Sequence, residues 1–177
     1  MEAREQLQAF EQTVLPHLDA AHNLARWLAG NDQDAQDVAQ EACLRAFKFF
    51  GGFRGDNPRA WLLAIVRNTF YTWLRQNRPP VATVELDDEA FEIADPTASG
   101  ETLQARQRDA EAVRRAIAAL PVEFREILVL REMEDMSYKD IASLTHLPIG
   151  TVMSRLARAR KLLQKQLARE YPSGGPS

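Results

Sequence analysis

The sequence has 177 residues, of which 45% are hydrophobic and 27% are charged, so it is long enough for one or two small domains and too short for a large enzyme. Its single cysteine, Cys43, excludes an internal disulfide, and its three histidines lack the spacing of metal ligands, so we expect neither a metal site nor a cofactor. No apolar stretch is long enough to span a membrane, and the first residues are too polar for a secretory signal, which favours a soluble, cytoplasmic protein.

Apolar residues recur at helical spacing along most of the chain, and no stretch shows the alternation of a strand. The first helix is predicted to break at Pro16, the second to stop at Gly30, and the fourth to follow Asn57 as its cap. Ser137 followed by Asp140 predicts the start of a short helix. After the interrupted opening helix, the predicted helices cover 17–29, 32–50, 58–77, 102–119, 122–133, 138–145 and 151–169.

The net charge of −3 conceals an uneven distribution of charge. Residues 54–78 carry five basic groups and one acidic group, and residues 151–177 carry six basic groups and one acidic group. Residues 79–104 carry seven acidic and no basic groups and include three prolines, which is the composition of a linker. We therefore predict an all-α fold with two small helical domains, residues 5–78 and 105–170. A flexible acidic linker, residues 79–104, joins them, and a disordered tail, residues 171–177, follows the second domain.

Residues 137–163 fit two helices joined by a tight turn, the helix-turn-helix pattern whose second helix enters the major groove of DNA. His146 lies at a turn position where glycine or asparagine would better tolerate a left-handed backbone. One face of the second helix combines hydroxyls that suit phosphates with cations that suit guanines or phosphates: Thr151, Ser154, Arg155, Arg158 and Lys161. A solvated basic face on an ordinary surface helix is the alternative interpretation, and the compact turn before this helix favours DNA binding.

Residues 53–78 interleave five aromatic side chains with five arginines, and this mixture suits opened or single-stranded nucleic acid. Aromatic rings stack on unpaired bases, while arginines hold the backbone. Trp61 and Ile65 lie at helical spacing and are assigned mainly to packing. Phe53 and the loop 54–57 are the better candidates for contact, because loops present side chains without burying them.

The predicted helix 32–50 has a polar side and an apolar side. The polar side carries Asp37, Gln40, Glu41 and Arg45, and the opposite packing stripe is predicted to contain Val38, Ala42 and Phe49. Cys43, next to Ala42, is predicted to be a buried packing residue rather than a redox sensor.

Three segments, in this order, resemble the bacterial extracytoplasmic-function (ECF) sigma factors of the sigma-70 family: DAQDVAQEACLRAF, FRGDNPRAWLLAIVRNTFYTWLR and LPVEFREILVLREMEDMSYKDIASLTHLPIGTVMSRLARAR. The resemblance covers about residues 10–168. It implies two helical domains, sigma-2 and sigma-4, that bind core RNA polymerase at the β′ coiled coil and the β flap and direct it to promoter DNA. It further implies control by an anti-sigma factor, a linker that threads toward the polymerase active centre, and no small-molecule substrate.

The same resemblance assigns roles to individual residues. Core polymerase binding falls to Asp37, Gln40, Glu41 and Arg45. Recognition and melting of the −10 element fall to Phe53, Arg54, Asp56, Asn57, Arg67, Asn68 and Arg75. Contact with the −35 element falls to Thr151, Met153, Ser154, Arg155, Arg158 and Lys161. Two features depart from the family: Met153 stands where a basic residue is common, and the segment between Asp56 and Trp61 is short. The resemblance therefore implies the role of these residues more firmly than the promoter sequence that they recognise.

Two other binding functions compete with this interpretation, and an enzyme is least expected because no phosphate loop or catalytic triad is present in the sequence. A regulator that acts on duplex DNA without polymerase would need only the helix-turn-helix and would have no use for the Phe53–Arg54 loop. A sigma-like decoy that sequesters an anti-sigma protein would be expected to carry a receiver domain, for which this chain has no room.

Overall fold

In a computed structural model, which describes residues 2–77 and 103–170, the chain forms two helical units and, within those residues, no strand. The predicted all-α class with two helical domains is confirmed. Most of the predicted linker 79–104 and all of the predicted tail 171–177 lie outside the described residues. The N-terminal unit contains α1 (Glu2–Val14), α2 (Leu18–Ala29), α3 (Asp32–Phe49) and α4 (Pro58–Asn77), and the C-terminal unit contains α5 (Leu103–Ala118), α6 (Val122–Leu128), α7 (Tyr138–Thr145) and α8 (Ile149–Glu170).

Local sequence signals set the helix boundaries of the N-terminal unit. Pro16 lies in a 3-10 turn between α1 and α2, and Gly30 ends α2 in the left-handed conformation with φ 86°. The Asn31 side chain caps α3 by accepting a hydrogen bond from the Asp34 amide at 2.8 Å. Asn57 caps α4 in the same way, through the Ala60 amide at 3.0 Å. These caps satisfy amide groups that each first turn leaves without a helical partner.

The C-terminal unit departs from prediction at two points. The predicted helix 122–133 is α-helical only to Leu128, and Val129–Met133 form a π-helical turn whose Val129 and Leu130 are buried. The last helix begins at Ile149 rather than Thr151, because the Pro148 carbonyl accepts the Thr151 and Val152 amides at 2.9 and 3.1 Å. Ser137 caps α7 as predicted, through the Asp140 amide at 3.0 Å.

His146 occupies the left-handed conformation predicted for it, with φ 58° and ψ 36°, at the end of α7. A residue with a Cβ pays about 1–2 kcal/mol for this conformation, and glycine does not. We expect His146→Gly to raise the free energy of unfolding by about 0.5–1 kcal/mol, measured by urea denaturation. The matched control is His22→Gly inside α2, which should lower it by about 0.5 kcal/mol through helix propensity. Destabilisation by both changes would contradict the strain argument.

The two units pack against each other through α2 and α4 on one side and α6, the π-helical turn and α7 on the other. The buried apolar side chains of both units form one continuous cluster, which includes Leu24, Leu62 and Phe70 from the first and Ile127 and Ile141 from the second. The Arg125 side chain ties this contact together, because it donates to the Leu28 carbonyl across the interface at 2.9 Å and to the Leu120 carbonyl in its own unit at 3.0 Å. The interface brings α4 of the N-terminal unit into contact with α7 of the C-terminal unit.

Candidate nucleic-acid and polymerase surfaces

The helix-turn-helix predicted from the sequence is formed by α7 and α8. The turn is closed by a hydrogen bond from the Leu147 amide to the Ala142 carbonyl at 3.1 Å. Ile141 and Leu144 on α7 and Val152 and Leu156 on α8 are buried where the two helices meet. Because α5 and α6 also pack against α8, its solvent-exposed surface in this region lies at the first turns, around Met153 and Ser154, and the first turns are the part of a recognition helix that contacts base edges.

The −35 candidates lie along α8 but do not share one environment. Met153 and Ser154 are exposed, with Met153 at 51%, whereas Thr151, Arg158 and Lys161 are half-buried. Arg155 is also half-buried, and its Nε is enclosed without a hydrogen-bond partner among the described residues. Arg155 lies near the Glu126 carboxyl of α6: burial raises the pKa of that carboxyl, and the positive charge of Arg155 is one of the influences that partly offset the rise.

The loop before α4 holds an aromatic stack. Phe53 lies 5.0 Å from Trp61 and 6.1 Å from Phe50, measured between ring centroids, and is half-buried by them. Arg54 is exposed and donates to the carbonyls of Gly51 and Phe53 at 3.1 Å each. Asp56 is also exposed. The loop is thus held in a defined shape, with its charged tips toward solvent and its ring partly covered.

Three polar side chains near the start and middle of α4 contact carboxylates of the C-terminal unit. Asn57 donates to Asp140 at 3.5 Å, and Arg59 donates to the carboxylate of Glu134 at 2.6 Å and to the carbonyl of the same residue. Arg67 donates to both oxygens of Glu126, at 2.8 and 3.1 Å. We call these three contacts, Asn57–Asp140, Arg59–Glu134 and Arg67–Glu126, the interdomain clasp.

The Arg67–Glu126 pair is the most deeply buried part of the interdomain clasp, with side-chain exposures of 17% and 1%. Burial raises the pKa of Glu126, and Arg67 only partly offsets this. Burial lowers the pKa of Arg67, but its hydrogen bond to Glu126 and the charge of Glu126 outweigh that and raise it. The guanidinium also lies 4.7 Å from the ring of Tyr71, whose pKa is raised by burial and by Glu126. Two of the predicted −10 residues, Asn57 and Arg67, thus contact the C-terminal unit, whereas Asn68 and Arg75 remain exposed on α4.

The predicted polymerase-binding residues share the outer face of α3. Asp37, Gln40 and Glu41 are exposed, and Arg45 donates to Glu41 at 3.2 Å. The sequence interpretation missed Leu44, which lies on this face between Glu41 and Arg45 and is 67% exposed. Its position two residues after the buried Ala42, off the apolar stripe of the helix, is the signal that would have found it.

The prediction that Phe49 packs in the core is wrong, because 57% of it is exposed. Val38, Ala42 and Ala46 form the buried stripe at steps of four residues, and the half-buried Phe50 continues it by the same step, which leaves Phe49 beside the stripe. Phe49 instead lines a shallow hollow on the surface of α3, together with Glu41, Leu44, Arg45 and Lys48. Cys43 packs against the core as predicted, but it is half-buried rather than fully buried.

Among residues 2–77 and 103–170, no helix is both long and apolar enough to cross a membrane. The same residues contain no group of three or more histidine, cysteine, aspartate or glutamate side chains placed to hold a metal ion.

Comparison with known proteins identifies the family. Residues 13–79 match the family model described as Sigma-70 region 2, and residues 110–163 match Sigma-70, region 4. The RNA polymerase sigma-H factor of Pseudomonas aeruginosa is 38% identical over 166 residues, covering 90% of this chain and 86% of that protein. The ECF RNA polymerase sigma factor SigM of Mycobacterium tuberculosis is 38% identical over 161 residues, covering 90% and 77%.

A solved structure gives the same result. The sigma factor RpoE of Bartonella quintana, in complex with the anti-sigma factor NepR, is 30% identical and superposes with a TM-score of 0.68 over 90% of this chain and 97% of that one. This chain therefore belongs to the ECF sigma factors of the sigma-70 family. Its N-terminal unit contains region 2 and its C-terminal unit contains region 4.

Proposed function

We propose that this chain binds core RNA polymerase in the cytoplasm and directs it to promoters, with the N-terminal unit opening the −10 element and the C-terminal unit reading the −35 element. The observation that carries the proposal is the combination, in one chain, of a helix-turn-helix with an exposed second helix and an arginine-rich helix preceded by an aromatic loop. Recognition of duplex DNA needs the helix-turn-helix, and strand opening needs the arginine-rich helix with its aromatic loop. A regulator that acts only on duplex DNA would have no role for the arginine-rich helix and its aromatic loop.

The interdomain clasp supports a further part of the proposal, that the free chain binds promoter DNA weakly. Arg67 would have to leave Glu126 before it could contact nucleic acid fully, since its side chain is only 17% exposed where it bonds that carboxylate. Binding of polymerase must therefore supply the free energy that separates the units. An equilibrium of this kind lowers the apparent affinity of the free chain by the fraction of open molecules.

The test is in vitro transcription with core polymerase and a promoter library randomised over both elements. The expected result is initiation that depends on the chain, with permanganate-reactive thymines in the −10 region only when polymerase is present. Footprinting of the chain alone at the same salt concentration should show weak protection. A strong footprint without polymerase, with no reactive thymines when it is added, would favour the duplex-only regulator.

We also propose control by an anti-sigma protein that covers the outer face of α3. The structure named above shows a similar protein bound to an anti-sigma factor, and this chain exposes the apolar Leu44 and Phe49 on that face. The expected result is that a small protein co-purifies with the tagged chain from its native host and blocks its binding to core polymerase. A chain that is recovered alone and is active at all times would contradict this control.

A further inference from the structure

The first turns of α8 expose two large apolar side chains that the fold does not use. Ile149 is 50% exposed and Met153 is 51% exposed, whereas Val152 and Leu156 on the same helix are buried against the unit. Ile149 and Met153 are separated by four residues and lie on the same side of the helix. Exposed large apolar side chains that lie next to each other lower solubility. Their presence on a candidate binding surface therefore indicates that they contact an apolar group of the bound partner.

The edges of the base pairs offer few apolar groups. In the major groove of unmodified DNA, the methyl group of thymine is the apolar feature, and the other groups are hydrogen-bond donors and acceptors. We propose that Ile149 and Met153 are specificity-determining residues that read thymine methyl groups in the upstream promoter element. This inference rests on the proposed function, and it names the base chemistry that the α8 surface selects.

The surroundings of the pair favour DNA over a protein as the occupant. Residues 155–169 of α8 carry six arginines and lysines and no acidic residue, which suits a polyanion. Ser154, the exposed neighbour of Met153, can contact either a phosphate or a base edge. Side chains four residues apart on a helix are separated by about 5–6 Å, against about 3.4 Å between bases along one strand, so the pair can reach two thymines at adjacent or next-but-one positions.

The test uses the holoenzyme and promoters selected from a library randomised over the upstream element. Each thymine of that element is replaced in turn by deoxyuridine, which differs only in lacking the methyl group. At one or two positions the dissociation constant should rise about fourfold, which corresponds to about 0.8 kcal/mol for one buried methyl group. Met153→Ala should bind the thymine promoter more weakly and should no longer distinguish thymine from deoxyuridine at one of these positions.

Two further variants sharpen the assignment. Met133→Ala changes a methionine of similar exposure, 45%, on the π-helical turn and should leave the discrimination intact. Met153→Arg should move the preference at its position toward guanine, since arginine pairs with guanine O6 and N7.

Several results would overturn the inference. Selected elements without thymine, or tolerance of deoxyuridine at every position by a holoenzyme that still initiates, would refute it and leave the proposed function standing. Normal DNA binding by Met153→Ala together with loss of a co-purifying protein would assign the pair to a protein partner instead. No initiation from any library member would refute the proposed function, and this inference with it.

Discussion

Replacing Glu126 by alanine is expected to produce the largest loss of stability of any single change in the interdomain clasp. Arg67 would keep its charge in a site where its side chain is only 17% exposed, with no carboxylate to accept its hydrogen bonds. Breaking a buried ion pair from one side costs about 3–5 kcal/mol. The loss cannot exceed the free energy that holds the two units together, because separation returns Arg67 to water.

The measurement combines urea denaturation, followed by circular dichroism, with small-angle scattering. We expect Glu126→Ala to have an earlier unfolding transition and, before it unfolds, a larger radius of gyration as the units separate. The matched control is the double variant Glu126→Leu with Arg67→Met, which removes both charges and keeps apolar volume. It should remain within about 1.5 kcal/mol of the parent, since burial raises the pKa of Glu126 and the charged pair is costly to hold. Equal losses in both variants would show that packing, not charge, is responsible.

Replacing Leu44 by aspartate is expected to have the largest effect on binding of core polymerase. Leu44 is 67% exposed in the middle of the proposed docking face, so the change should not unfold α3, but it would place a charge where the proposed contact excludes water. Central apolar anchors of interfaces contribute about 2 kcal/mol or more, which predicts a dissociation constant raised about 30-fold.

The matched control for this prediction is Leu15→Asp. Leu15 is 40% exposed and lies on the 3-10 turn that packs against α2 and α4, away from the outer face of α3. Competition binding to core polymerase should separate the two variants, with Leu15→Asp indistinguishable from the parent. Unchanged binding by Leu44→Asp would remove the proposed docking role from this part of α3.

Local signals allowed most of the helices to be predicted from the sequence. Gly30, Asn57 and Ser137 act within one turn of their own positions, and the left-handed His146 follows from the tightness of a short turn. The interdomain clasp could not be predicted in this way, because Arg67 and Glu126 are 59 residues apart and their meeting depends on how two finished units pack. The placement of Phe49 failed for a different reason: Phe49 and Phe50 both lie near the apolar side of α3, and the four-residue steps of the buried stripe select Phe50.

The candidate surfaces were predicted with similar limits. Residue type and helical spacing were sufficient to place Ser154 on the exposed side of α8 and Glu41 on the outer side of α3, whereas Met153 was named only through the family resemblance. They gave no indication that Arg155 would have an enclosed Nε beside Glu126, because that environment is created by α6. The exposure of Leu44 and Ile149 was likewise not predicted, because aliphatic side chains are typical of the core and residue type alone does not mark an exposed one.

Arg67 contacts Glu126 in the free chain and is proposed to contact DNA in the open complex, and this has a consequence for genetic experiments. A substitution of Arg67 would lower the proposed affinity for the melted strand. It would also lower the free energy that polymerase must supply to separate the two units. The two effects act in opposite directions on transcript output, so a reporter gene in living cells would record only their difference. A nearly silent phenotype at this arginine would therefore be compatible with two large changes, and purified components are needed to tell them apart.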